Sequence, residues 1–126
     1  MSTAIATKHA PGAVGPYVQG RKTEHLVFTS GQLGLIPETG EYAGPDVESQ
    51  ARQALKNVQA ILEAAGSSMD KVLKTIVYLT DMADFAKVNA IYAEFFKEGC
   101  LPARTCFACV GLPKGGLIEV EAIAEI

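Results

Sequence analysis

Near its C-terminal end this 126-residue chain sets one guanidinium into an apolar stretch, Pro102-Ala103-Arg104-Thr105-Cys106-Phe107-Ala108-Cys109-Val110. A proline followed by β-branched, aromatic and small residues predicts a strand. Alternation along it puts Arg104, Cys106, Ala108 and Val110 on one face and Ala103, Thr105, Phe107 and Cys109 on the other. An always-charged group on a small, apolar face requires an anion. The fork of a guanidinium matches a planar carboxylate through two parallel hydrogen bonds, so the anion is a carboxylate of the protein or of a ligand.

The cysteines offer less. There are three, Cys100, Cys106 and Cys109, an odd number in a chain without a disulfide-scaffold composition. Cys106 and Cys109 have the CxxC spacing, but on a strand positions three apart face opposite sides. Only His9 and His25 remain to complete a zinc site, and neither lies in a ligand-spaced motif. No histidine sits beside Cys106 in the sequence to lower its pKa, which argues against a thiolate nucleophile. Gly31-x-x-Gly34 does not precede a helix, so no phosphate-binding loop is read there.

The elements that must carry Arg104 follow from periodicity. Residues 1–16, with Pro11, Gly12, Gly15 and Pro16, predict a loop. Strands are expected at Tyr17–Gly20 and Leu26–Ser30, paired as a hairpin across polar Arg21–Glu24. A helix opened by Asp46 or Ser49 presents Ala51, Ala54, Leu55, Val58, Ile61, Leu62 and Ala65, and Gly66 closes it. Lys71–Thr80 predicts a central strand apolar enough to be buried on both faces. A second helix, capped by Asp81 or Asp84 and ended by Gly99, carries Phe85, Val88, Ile91, Tyr92, Phe95 and Phe96 as a core stripe. After the Arg104 strand and the turn Leu112–Gly116 comes a last strand, Leu117–Glu125. There Ile118, Val120, Ala122 and Ala124 suit a face under helices, and Glu119, Glu121, Ile123 and Glu125 form the other.

The expected fold is α+β, ordered ββαβαββ, with two helices on one face of a mixed sheet of four or five strands and a single domain over 1–126. The other face stays partly apolar, and the Arg104 face of its strand is likewise too apolar to be left in water; an exposed patch of that kind implies a partner subunit. The net charge of −3 argues against nucleic acid, no apolar run has the length of a membrane span, and the N-terminus lacks a basic-then-apolar leader, so a cytoplasmic protein is expected.

Over essentially its full length the chain resembles the RidA/YjgF family of imine deaminases. The resemblance rests on an ordered set: Gly15-Pro16-Tyr17, Ser30-Gly31-Gln32, Gln53-Ala54-Leu55-Lys56-Asn57, Ala64-Ala65-Gly66, Val88-Asn89-x-x-Tyr92, Pro102-Ala103-Arg104-x-Cys106, and Leu112-Pro113 before Ile118-Glu119-Val120-Glu121-Ala122. It implies a chorismate-mutase-like trimeric barrel, helices outside, with ligand sites in clefts between subunits. It further implies that Arg104 holds the substrate carboxylate, that the backbone N–H of Cys106 faces the ligand, and that Glu119 serves the hydrolytic water. Tyr17, Ser30, Gly31 and Asn89 are implied as other pocket residues.

The implied enzyme hydrolyses 2-iminopropanoate, 2-iminobutanoate and their enamine tautomers, such as 2-aminoacrylate, to 2-oxo acids and ammonia, without metal or cofactor. Alternatives from other classes are an endoribonuclease or translation inhibitor, and a non-catalytic small-ligand sensor or chaperone. The acidic balance and the lack of an aromatic-basic strand motif weigh against RNA as the substrate.

Overall fold

In the computed structural model, which describes residues 1–126, the chain runs β1 (Thr3–Ile5), β2 (Gly20–Lys22), β3 (Leu26–Thr29), β4 (Gln32–Leu33), α1 (Val47–Ala64), β5 (Val72–Leu79), α2 (Phe85–Phe95), β6 (Ala103–Ala108), β7 (Ile118–Glu125). Seven strands make one mixed sheet in the order β1-β2-β3-β7-β5-β6. Short β4 pairs with β7 at Val120 and Glu119, continuing the edge that β3 occupies at Ile123–Glu125. The β5–β6 pair is parallel, which requires a crossover, and α2 supplies it. The α+β class and the two helices are as expected. The sheet is larger than expected by β1 and β4, and the first hairpin strand lies at Gly20–Lys22 rather than Tyr17–Gly20.

Local chemistry explains the helix ends. Asp46 is the N-cap of α1, its carboxylate accepting from the Ser49 N–H at 2.9 Å. At the other end Ser67 N–H donates to Leu62 O and Gly66 N–H to Glu63 O, with Gly66 at φ 87°. This is the paired closure that needs a left-handed residue, which only glycine adopts without strain. Before α2, Asp81 Oδ1 accepts from Ala83 N–H at 2.9 Å and starts a short 3-10 turn, while Asp84 makes no side-chain cap. α2 stops at Phe95, earlier than Gly99, which turns the following loop.

Between the helices and the sheet lies the core. Ala51, Ala54, Leu55, Val58, Ile61 and Leu62 of α1 are buried against Val27, Val77, Leu79, Ile118, Val120, Ala122 and Ala124. Truncating one such leucine to alanine removes about 2–5 kcal/mol.

Two expectations about faces need correcting. β5 is central, but only Val72, Thr75, Val77 and Leu79 are buried; Lys74, Ile76 and Tyr78 turn to the open side. The open face also carries Phe28, 42% exposed, and Phe107, 44% exposed, because one copy of the chain has nothing to lay over it. The second correction concerns Arg104. Its face of β6 is not the open one: Arg104 and Cys106 turn under α2, and Thr105 and Phe107 turn out. No helix is long and apolar enough to cross a membrane.

Candidate active site

Two groups of side chains hold the residues predicted for chemistry. The first is built on β6 and α2. Arg104 lies beside Thr75 of β5 in the parallel register. From α2, Phe85, Asn89 and Tyr92 project toward it from positions four and three residues apart, which share one helix face. Arg104 Nη1 donates to Asn89 Oδ1 at 2.8 Å. The guanidinium carbon stands 4.8 Å from the centre of the Tyr92 ring and 5.3 Å from that of Phe85, within cation–π range. The Tyr92 hydroxyl is fixed in turn, 2.8 Å from the buried Thr75 hydroxyl.

No carboxylate pairs with Arg104. The ion pairs of the chain are Arg52–Glu94 and Glu24–His25, both at the surface. The guanidinium is therefore oriented by neutral groups alone, and its charge is not cancelled within the chain. Cys106 follows on the same face, half-buried. Burial pushes its thiol pKa up, with the Arg104 charge pulling it partly back. A thiol held protonated is a poor nucleophile.

The second group lines a cleft of about 640 Å³, with Tyr17, Ser30, Gly31 and Glu119 on its wall beside Leu33, Pro113 and Lys114. Glu119 sits on β7, opposite Leu33 on one side and Tyr78 on the other. A Cβ on Gly31 would overlap the Glu119 carboxylate, so the absence of a side chain there lets the carboxylate lie along the backbone. Burial, and next the like charge of Glu121, raise the Glu119 pKa above its ordinary value. Glu121 is engaged by the Tyr78 hydroxyl, which donates to it and is thereby pushed up to about 12. Ser30 Oγ donates to Val18 O at 2.6 Å, leaving its lone pairs for the cleft. Tyr17, half exposed, accepts from Val14 N–H at 3.3 Å.

Loops form much of this wall, and buried amides hold them. The Gln19 side chain donates to Ala10 O at 3.1 Å and Pro11 O at 2.8 Å and accepts from Thr7 N–H at 2.6 Å. Asn57, fully buried on α1, donates to Leu33 O at 3.0 Å and Leu35 O at 2.9 Å. Sequence reasoning did not single these two out, nor Phe85 and Tyr92 as partners of the arginine. A signal for Asn57 existed, since an amide inside an apolar helical stripe needs backbone partners. Phe85 and Tyr92 read as core because nothing in the sequence says which helix faces the arginine.

The two groups do not meet in one chain. Arg104 is on the helix side of the sheet; Glu119 is on the open side, with β5 between their strands. No salt bridge joins Arg104 to Glu119 within the chain. No group of three or more His, Cys, Asp or Glu side chains gathers anywhere in the chain.

Comparison with known proteins places this geometry. Residues 7–126 match the family described as Endoribonuclease L-PSP. The chain is 51% identical over 126 residues to an Escherichia coli 2-iminobutanoate/2-iminopropanoate deaminase, covering 98% of each. Among solved structures, an Entamoeba histolytica protein described as a putative endoribonuclease L-PSP superposes with a TM-score of 0.96 at 48% identity over the whole of both chains. E. coli TdcF with bound serine superposes with a TM-score of 0.94 at 47% identity, over 98% of each.

Proposed function

The chain belongs to the endoribonuclease L-PSP family, the RidA/YjgF proteins, and we propose that it hydrolyses small 2-imino acids and their enamine tautomers to 2-oxo acids and ammonia. The observation that carries this assignment is the uncancelled Arg104 guanidinium, aimed by Asn89 and two aromatic rings but paired with no carboxylate of its own chain. A short acid supplies the missing anion through the fork. Family members at about half identity named as deaminases of such acids support the choice of substrate.

We assign the steps as follows. Arg104 binds the carboxylate and orients the C=N bond, with the Cys106 backbone N–H facing the ligand and Asn89 fixing the arginine. Glu119 holds a water and accepts its proton as the oxygen attacks C2. The protonated carboxyl returns that proton to nitrogen, giving the carbinolamine. The same carboxylate then takes the carbinolamine hydroxyl proton and passes it to nitrogen, so that C=O forms as the C–N bond breaks and ammonia leaves with the 2-oxo acid. The raised Glu119 pKa suits a group that must both accept and donate. These imines also hydrolyse unaided in water, so orientation plus acid–base help of roughly a hundred- to ten-thousand-fold is sufficient. Tyr17, Ser30 and Gly31 shape the cleft around the imine.

Because Arg104 and Glu119 lie on opposite sides of one sheet, we assign the complete site to the boundary between copies in a homotrimer. The Arg104 group of one subunit meets the Glu119 cleft of the next. The apolar open face around Ile76, Tyr78 and Phe107 supports such an assembly. The same reading puts the protein in the cytoplasm, where pyridoxal-phosphate enzymes release these imines from serine and threonine.

Coupling a serine/threonine dehydratase to the protein and following loss of the imine signal tests the assignment. Wild type should speed the loss, and Arg104→Ala should match buffer. The family description favours one other reading, an endoribonuclease. RNA cleavage that survives Arg104→Ala and falls steeply with salt would select it.

A further inference from the structure

Lys114 is the only residue besides glycine with positive φ, at φ 57° and ψ 25°. In that region Cβ crowds the following carbonyl oxygen, and lysine lacks the short polar side chain that lets Asn or Asp settle there. The turn is fixed from outside: the Tyr42 hydroxyl donates to Pro113 O at 2.9 Å. Glycine or asparagine would meet the backbone requirement with less strain, so the side chain is what this position retains.

That side chain is exposed and lines the Glu119 cleft. Among the lining residues Lys114 is the one cation and Glu119 the one anion. Its ammonium is lightly committed, donating to Gly40 O at 3.4 Å, long for a hydrogen bond. The chain carries a net charge of −3, so an acidic ligand nearing this cleft is opposed by Glu119 and by the whole molecule. We infer that Lys114 is a further substrate-binding residue, whose ammonium exchanges the Gly40 carbonyl for the carboxylate of an incoming short 2-imino or 2-oxo acid and delivers it toward Arg104 of the partner subunit. The inference rests on the deaminase assignment for its substrate class.

The test compares wild type with Lys114→Gly, Lys114→Asn and Lys114→Arg. Three quantities are read: kcat/KM for imine hydrolysis against ionic strength, binding of 2-oxobutanoate, and the melting temperature. Glycine and asparagine should lower kcat/KM about fivefold at low salt and flatten its salt dependence, with kcat unchanged. They should weaken 2-oxobutanoate binding alike and melt no lower than wild type; arginine, which keeps both the charge and the strained turn, should match wild type in all three. Unchanged kcat/KM and salt response in Lys114→Gly would overturn the inference. So would a fall in melting temperature that accounts for the lost activity, because the lysine would then be a strut to the Gly40 loop. Should wild type hydrolyse no imine, 2-oxobutanoate binding decides: dependence on Lys114 keeps the inference while the deaminase assignment fails, and independence ends both.

Discussion

The Arg104 group and the Glu119 cleft are built by opposite means. Arg104 stands on a strand beneath a helix, gripped by Asn89, Tyr92 and Phe85 from three positions on one helix face. Glu119 also stands on a strand, but its surroundings are loops: Ser30-Gly31, the Tyr17 segment and the Pro113 turn, tied back by Gln19, Asn57 and Tyr42. The anchor is set by regular structure, where a guanidinium can be aimed within a small tolerance. The cleft is set by polar clamps, so its shape can change while the sheet stays put. Substrate choice is therefore expected to vary with the loops, and carboxylate recognition to vary hardly at all.

The sharpest break of this contrast is at the anchor. Arg104→Ala should lower kcat/KM for imine hydrolysis about a thousandfold, the loss of two charge-assisted hydrogen bonds. Arg104→Lys should recover little, because an ammonium cannot form the fork. Steady-state kinetics with the coupled dehydratase reads both.

On the cleft side, Glu119→Gln should lower kcat about a hundredfold with KM nearly unchanged. Gly31→Ala should imitate it, since the added methyl displaces the same carboxylate. If Gly31→Ala kept wild-type kcat, the exact seat of Glu119 would not matter to the chemistry. A smaller effect returns to the anchor: Asn89→Ala should raise KM about tenfold with kcat retained, through the loss of one hydrogen bond to a charged group.

The mildest effect is on stability. Glu119 has a folded pKa raised by burial and by Glu121, so the folded state binds its proton more tightly than the unfolded chain does. Stability from this group is therefore greatest below its unfolded pKa and falls as pH rises through the folded one. Glu119→Gln should melt above wild type near neutrality, and the difference should vanish in acid below the ordinary glutamate range. A melting series across pH, with an advantage that instead grew in acid, would reverse the sign assigned here.

Much of the fold was legible because its long elements repeat. α1 declared itself through Ala51 to Leu62 at helical spacing and through Asp46 and Gly66 at its ends. β7 showed its buried and open faces by strict alternation. β1 and β4, three and two residues long, are too short to hold a period. They exist because β2 and β7 offer free edges, a fact of tertiary structure. Alternation also told which residues share a face with Arg104 but not which face lies under α2. The apolar second face of β5 read as burial, because a sequence does not distinguish cover by its own helices from cover by another copy. Every residue singled out for the site falls in one of the two groups; their separation across the sheet was not readable before the strand order was known.

That separation gives the most direct measurement. Arg104→Ala and Glu119→Gln proteins, each retaining at most about a hundredth of wild-type activity alone, should be unfolded, mixed in equal amounts and refolded together, then assayed for imine hydrolysis. If each complete site draws Arg104 from one subunit and Glu119 from its neighbour, random mixing restores both groups at about one quarter of the boundaries, and about that share of wild-type activity returns. No recovery from mixed assemblies that have demonstrably formed would mean that both groups act within a single chain, contrary to the assignment made from the two faces of the sheet.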